Sequence, residues 1–508
     1  MNLFKSLMGR RQFMIAAGAV SASALATKRL SSIVDPVLKP GAASAAEKSA
    51  TGAKSTSKLM TFKRNVFTPE EKAALDAWKK LENKAGGPPG GGGAPGGGAP
   101  GGGGGETVLT AASGQPKDLD TVSGFEMYYY AKGWDKYNPL WLNNNYAKNT
   151  WYGDCPAIPT IREPMAMAQL PSELGFESQS GKVYVGDGYD FELYYYKPIF
   201  SGDSFNTKTT SLDYVDLTED GSTTRFIIAI VKAEMYNQKG EMVCRAVMHW
   251  PCFRQKYEDG HVPTREEMMS SRTASGGRQE RYTRPAHKYT DADWEVLKGI
   301  WKKEKIRGAE KLYWEDVKVG DEPPWTAENP VTDYDARRYT GFHHTVGAVG
   351  GDSARDFIMT GNSERRFYKR EDGVYDVASS DRTHFLNFVG RNFCLRTITN
   401  WCGDDGFVRK IGWRMVNDSR PEEQINHFPE GHFRESWLLK VPSLKKAGKF
   451  INTHGMGPDC AICKAYVTEK FIDPDTGDHM VMLTGWAEDM DGNIFQECEF
   501  SVALPTRS

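Results

Sequence analysis

From about residue 118 onward the chain is dominated by alternating apolar and polar positions. Runs of period two cover 189–196, 204–217, 224–236 and 242–252 and predict four strands. Between them, Thr218-Glu219-Asp220-Gly221 and Asn237-Gln238-Lys239-Gly240 supply the Asp, Asn and Gly that tight turns use. A Tyr-rich stretch, 125–132, predicts one helix ahead of this meander. The plan then repeats. A charged helix within 282–307, begun by Thr290 or Asp291, connects to a second unit opened by Trp314-Glu315-Asp316-Val317-Lys318-Val319-Gly320-Asp321. There 329–341 leads into a long irregular insertion, 385–401 predicts a helix, and 463–473, 479–488 and 493–504 predict long strands. Pro474-Asp475-Thr476-Gly477-Asp478 and Asp489-Met490-Asp491-Gly492 mark the turns between those strands. A helix followed by a sheet that wraps onto it, twice over, is an α+β layout.

The first hundred residues follow other rules. Residues 1–26 run from a basic start through a modest apolar stretch to Ala24-Leu25-Ala26, the layout of a secretory signal. Arg10-Arg11-Gln12-Phe13 resembles a twin-arginine signal, with Gly9 and Met14 where Ser or Thr and Leu are commoner. The expected location is periplasmic, or cytoplasmic if that signal is not functional. The apolar run is too short for a permanent anchor, and no later stretch approaches the roughly 20 apolar residues that span a bilayer. Residues 27–117 are expected to be disordered apart from one short helix, capped by Thr68, opened by Pro69-Glu70-Glu71 and stopping at Gly86. Residues 86–105 are almost pure Gly with Pro, a flexible tether between the signal region and everything that folds. That tract lacks the flanking strand, helix and Lys that cradle phosphates.

A net charge of -2 gives no basic field and no reason to expect a nucleic-acid partner. Eight cysteines in 508 residues are sparse for a disulfide-built scaffold. Cys460-Ala461-Ile462-Cys463 is a lone C-x-x-C; core packing is the first reading, with a disulfide or half of a metal site as alternatives. No metal and no cofactor is expected.

Five stretches stand out in order: Asp135-Lys136-Tyr137-Asn138-Pro139-Leu140-Trp141, then Tyr146-Ala147-Lys148 with Cys155-Pro156-Ala157-Ile158-Pro159-Thr160, then Tyr196-Lys197-Pro198-Ile199-Phe200-Ser201-Gly202-Asp203. In the second half they are Arg307-Gly308-Ala309-Glu310 with 313–321, and Asn400-Trp401-Cys402-Gly403-Asp404-Asp405-Gly406. Taken in this order they resemble MaoC-like acyl dehydratases, and among them those related to the fungal fatty-acid-synthase dehydratase domain. The resemblance covers roughly 118–506. It implies two tandem hotdog domains, each an antiparallel sheet around a central helix, at 118–258 and 310–506, joined by a connector at 259–309. It also implies addition or removal of water at an α,β-unsaturated acyl thioester or related carbonyl compound. That chemistry needs an acid and a base, commonly Asp and His, and backbone N–H groups to polarise the carbonyl.

The residues depart from the full motif, Gly-Asp-x-Asn-Pro-(Ile/Leu)-His. Trp141 stands where His belongs, and indole exchanges no proton at neutral pH. Asp135, Asn138 and Trp141, with Gly341 of the second half, are therefore candidate substrate-binding residues, and for Asp135 a turn-former or helix cap is the first reading. His343 and His344, further candidates for acid–base work, precede a run of small residues that suggests a loop near a cavity. Asp381-Arg382-Thr383-His384-Phe385 lies directly ahead of the second helix. In the resembling subfamily a His-aromatic pair occupies that place, which makes His384, with Asp381, the first choice for acid–base work; a helix-cap or core histidine is the alternative. Asp404 and Asp405 read as turn caps. The partner is expected to be a small acyl or unsaturated carbonyl substrate, and exposed sheet edges leave a homodimer open. A second reading is an exported double hotdog that has lost its chemistry and binds a hydrophobic or aromatic ligand, alone or as a subunit.

Overall fold

The computed structural model describes residues 57–79, 82–84, 121–164, 177–178, 187–260, 287–330, 359, 368–369, 375–376, 386–416, 436–447, 460–492 and 494–507. The helices are α1 (Pro69–Trp78), α2 (Gly124–Trp134), α3 (Pro139–Leu142), α4 (Asn144–Ala147), α5 (Asp291–Trp301), α6 (Leu386–Cys402) and α7 (Pro442–Ala447). The first half contributes the strands β1 (Glu82–Lys84), β2 (Glu177–Ser178), β3 (Asp187–Tyr195), β4 (Phe205–Asp216), β5 (Arg225–Asn237) and β6 (Met242–Arg254). After the connector come β7 (Thr326–Glu328), a small hairpin of β8 (Tyr368–Lys369) and β9 (Tyr375–Asp376), then β10 (Phe407–Val416), β11 (Ala461–Ile472), β12 (His479–Glu488) and β13 (Ile494–Ala503).

One antiparallel sheet runs through both halves in the order β1-β4-β5-β6-β3-β10-β13-β12-β11-β7, with β2 on β6. The fold is the expected α+β double hotdog, and β3 paired with β10 fuses the halves into one sheet. In that register Phe191 faces Trp413, and their rings stack with centroids 5.0 Å apart. The long helix α6 lies against β10, β13, β12 and β11. From Gly390 to Asp404 every residue of this stretch is buried, as befits a helix at the centre of a sheet. Burial all round forces its charged residues to find partners.

The polar side chains of the seam are paired in the same way. Lys410 is buried between Glu192, 2.8 Å away on β3, and Glu499, 2.5 Å away on β13, while Lys440 lies 2.6 Å from the other oxygen of Glu499. Close approach matters beside it: a Cβ at Gly412 would come within 3.1 Å of the Trp437 ring.

The segment ahead of the glycine tract is part of this body, a correction to its expected place in a disordered region. Thr68 and Glu71 form a capping box at the start of α1, which buries Leu75 and Trp78 in the main core. The helix ends at Trp78 with Lys79 as its C-cap, short of Gly86. Phe62 is buried beneath the guanidinium groups of Arg225 and Arg254, 4.9 and 5.6 Å from their carbons. Arg225 also binds Asp216 at 2.8 Å, Arg254 pairs with Glu71, and the Asn65 amide donates to Asp216 at 2.8 Å.

All eight cysteines are free. Residues three apart on a strand point to opposite faces. Cys460 accordingly joins the small core of Tyr289, Trp294 and Met490, and Cys463 the main core beside Cys394. Among the described residues no group of His, Cys, Asp and Glu could hold a metal ion, and no helix is long and apolar enough to cross a membrane.

Candidate functional site

The turn between α2 and α3 is built by its own polar side chains. Asp135 caps the end of α2, and the Asn138 carboxamide caps α3 by accepting the Leu140 amide at 3.1 Å, with Pro139 at the first helical position. The single turn of α3 then aims Trp141 inward, where its indole Nε1–H donates to Asp135 Oδ2 at 3.0 Å. The position at which the resemblance expects a proton-exchanging His thus holds a donor fixed on the neighbouring carboxyl.

Behind this pair lies Arg396 of α6. Its guanidinium is 2.5 Å from both Glu304 and Glu328, and its Nε is 3.8 Å from Asp135 Oδ1. The Asn400 amide reaches Glu304 at 3.1 Å, and the guanidinium carbon lies 5.6 Å from the Tyr137 ring centre. One buried cation therefore serves three buried carboxyls. Asp135 is the farthest of the three, and burial pushes its carboxyl up to about 6 against the downward pull of Arg396.

In front of Trp141 a cleft opens between the halves. Its walls include Leu140 and Trp141 of α3, Ala157 of the following turn, Tyr195 at the end of β3, and Cys402 and Val408 from α6 and β10, with Lys197 among the lining residues. No Asp, Glu or His among the described residues lines it. Burial pushes the Cys402 thiol up to about 12 and raises Tyr152 and Tyr195 as well, so these groups stay neutral. Most of the walls are apolar, with the Lys197 ammonium among the polar groups.

Of the three first-half candidates, Trp141 lines the cleft, Asp135 is sealed behind it at 3% exposure, and Asn138 is used as a cap. His384, Asp381, His343, His344 and Gly341 lie outside the described residues. Asp404 has the structural role expected of it, with a wider reach: its carboxyl accepts the Tyr146 hydroxyl at 2.6 Å and its carbonyl the Trp151 indole at 2.8 Å, tying the second half to the first. Arg396, Glu304 and Tyr195 escaped the sequence reading. The signal for the arginine was present, since Arg391, Asn392, Arg396 and Asn400 interrupt an otherwise apolar helix.

No protein-family model and no curated protein matches the chain. Among solved structures it is similar to a MaoC-like dehydratase at 14% identity and a TM-score of 0.37, covering 76% of this chain and 95% of that one. It is also similar to a conserved hypothetical protein from Mycobacterium tuberculosis described as having a double hotdog fold, at 11% identity and a TM-score of 0.34, over 75% and 92% of the two chains. A MaoC-like dehydratase from Phytophthora capsici follows at 9% identity and a TM-score of 0.33, over 76% and 94%. These likenesses assign no residue a role.

Proposed function

We propose that this protein is a hydro-lyase of the hotdog type, acting on a small α,β-unsaturated acyl thioester or related carbonyl compound after export through its twin-arginine-type leader. The observation that carries the reading is the cleft, apolar over most of its walls, that both halves line at the Asn138–Trp141 turn and the end of α6. In the forward direction the oxygen of water bonds to the β-carbon, the carbon–carbon double bond becomes single, and a proton is delivered to the α-carbon. The first half binds and does no proton transfer, because its one carboxyl near the cleft is held by Trp141. Acid–base work falls to Asp381 and His384 of the second half. The test is hydration of crotonyl-coenzyme A by the full chain, with His384→Ala and Asp381→Ala as controls. Turnover lost at least a hundredfold in His384→Ala supports the reading; equal turnover in all three proteins refutes it.

The Asp135–Trp141 hydrogen bond favours a second reading, a binding protein that has kept the cleft without the reaction. Saturable binding of acyl compounds with no turnover, unchanged in His384→Ala, would select it.

A further inference from the structure

The turn after α4 carries an aromatic pair to the cleft. Thr150 closes that turn, its hydroxyl donating to the Ala147 carbonyl at 2.7 Å and its carbonyl accepting the Gly153 amide at 3.1 Å. Gly153 has a φ of 68°, the left-handed conformation in which a side chain is strained. Between these two residues Trp151 and Tyr152 lie ring against ring, with centroids 3.9 Å apart. The Trp151 indole is tied to the second half by its bond to the Asp404 carbonyl, and its ring meets Phe407 edge-on at 6.0 Å. Tyr152 is thereby fixed against the end of α6, where it lines the cleft with Cys402 and Phe407.

The other polar side chains of the cleft are committed elsewhere. The Trp141 indole donates to Asp135 at 3.0 Å, the Thr399 hydroxyl to the Arg396 carbonyl at 3.2 Å, and the Lys197 ammonium to Glu241 at 2.7 Å. The Cys402 thiol, a weak donor, is turned toward the Thr399 and Gly403 carbonyls. The Tyr195 hydroxyl is sealed off beside Cys244. Tyr152 differs from all of these: among the described residues its hydroxyl makes no hydrogen bond, and its oxygen is not sealed. Burial, with Cys402, Asp404 and Asp405 close by, raises the phenol well above its ordinary range. The group keeps its proton and acts as a hydrogen-bond donor, never as a base. Water serves such a donor in solution; a ligand that displaces the water must bring an acceptor of its own.

We infer that Tyr152 is the residue by which the first half recognises its ligand, donating a hydrogen bond to the ligand's carbonyl oxygen. This rests on the cleft being an acyl-binding site. The hydrocarbon part of an acyl compound offers no acceptor, so the carbonyl is the group that can take the phenol's hydrogen bond. The assignment fixes an orientation, with the carbonyl at the Tyr152 end of the cleft and away from Trp141, whose N–H is already used. It also gives the first half a part in the reaction without proton exchange. As the oxygen of water bonds to the β-carbon, negative charge develops on the carbonyl oxygen, and a positioned donor stabilises it there.

The experiment titrates the full chain and its Tyr152→Phe variant with two ligands that differ in the carbonyl alone, butyryl-coenzyme A and the thioether S-butyl-coenzyme A. The variant keeps the ring against Trp151 and breaks no hydrogen bond, so its melting temperature is expected to match the wild type. The wild type is expected to bind the thioester about tenfold more tightly than the thioether, and Tyr152→Phe to bind both alike. A preference for the thioester that survives in Tyr152→Phe overturns the inference, because some other group then holds the carbonyl. A wild type that binds both ligands equally also overturns it, while leaving the acyl-binding reading in place. If the wild type binds neither ligand, the acyl-binding reading falls and this inference with it.

Discussion

Asp135 shows how a single buried group sets the pH response of the centre behind Trp141. Its folded-state value of about 6 against an ordinary 3.8 means that folding takes up a proton between those values. Stability from this group is fully present below the unfolded value and is lost as pH rises through about 6, by roughly 3 kcal/mol at most. Asp135→Asn removes the ionisation while Arg396 keeps Glu304 and Glu328. Denaturant titrations are therefore expected to find the variant more stable than wild type at pH 7.5, by about 2 kcal/mol, and equal to it near pH 3. A wild type that is the more stable at pH 7.5 would show that Arg396 holds the carboxyl ionised. Trp141→Phe keeps the ring but strips the donor from Asp135, and a loss of about 1–3 kcal/mol is expected in the same measurement. The Asp-x-x-Asn-Pro turn itself was legible in the sequence, since Asn before Pro at a helix start is a local signal. The Arg396 centre was not, because its three carboxyls come from α2, the end of the connector and β7.

Elements whose pattern is local were read to within a few residues. The strand expected at 479–488 is β12, and the capping box at Thr68 starts α1 where the sequence places it. β10 went unread because Arg409, Lys410 and Arg414 break its apolar alternation. Lys410 belongs there only because Glu192 and Glu499 meet it from two other strands. The seat of α1 is invisible for the same reason: its ionic partners lie more than 150 residues away. That seat can be tested at Arg225, whose side chain is 3% exposed against a fully buried Asp216. Arg225→Ala leaves the carboxylate unpaired and is expected to cost about 3–5 kcal/mol in thermal or denaturant unfolding. A loss below 1 kcal/mol would mean that the 57–79 segment is not held on the sheet.

At the scale of the whole molecule, the anchoring of the glycine tract changes its meaning. β1 pairs with β4 at Lys208–Thr210, and Thr121 bridges to Ser204 on the approach to the same strand. Four residues of strand span only about 13 Å, so Lys84 and Thr121, with 36 residues between them in the sequence, are held close together at one sheet edge. Replacing 85–120 with about six residues is expected to preserve the fold and to raise stability by roughly 1.5 kcal/mol through loop closure. Loss of cooperative unfolding in that variant would show that the tract contributes contacts of its own.

The pairing of Phe191 with Trp413 also sets a clock. At about 5–20 residues per second, synthesis needs on the order of 10–45 s to pass from β3 to β10. Throughout that interval the β3 edge of the nascent first half is open to any other extended chain, the condition under which strands recruit the wrong neighbour. The contact is also among the most distant in the sequence, so loop closure makes it slow to form once both strands exist. Handling by holdase chaperones until the seam closes is the cellular consequence expected of this one strand pairing.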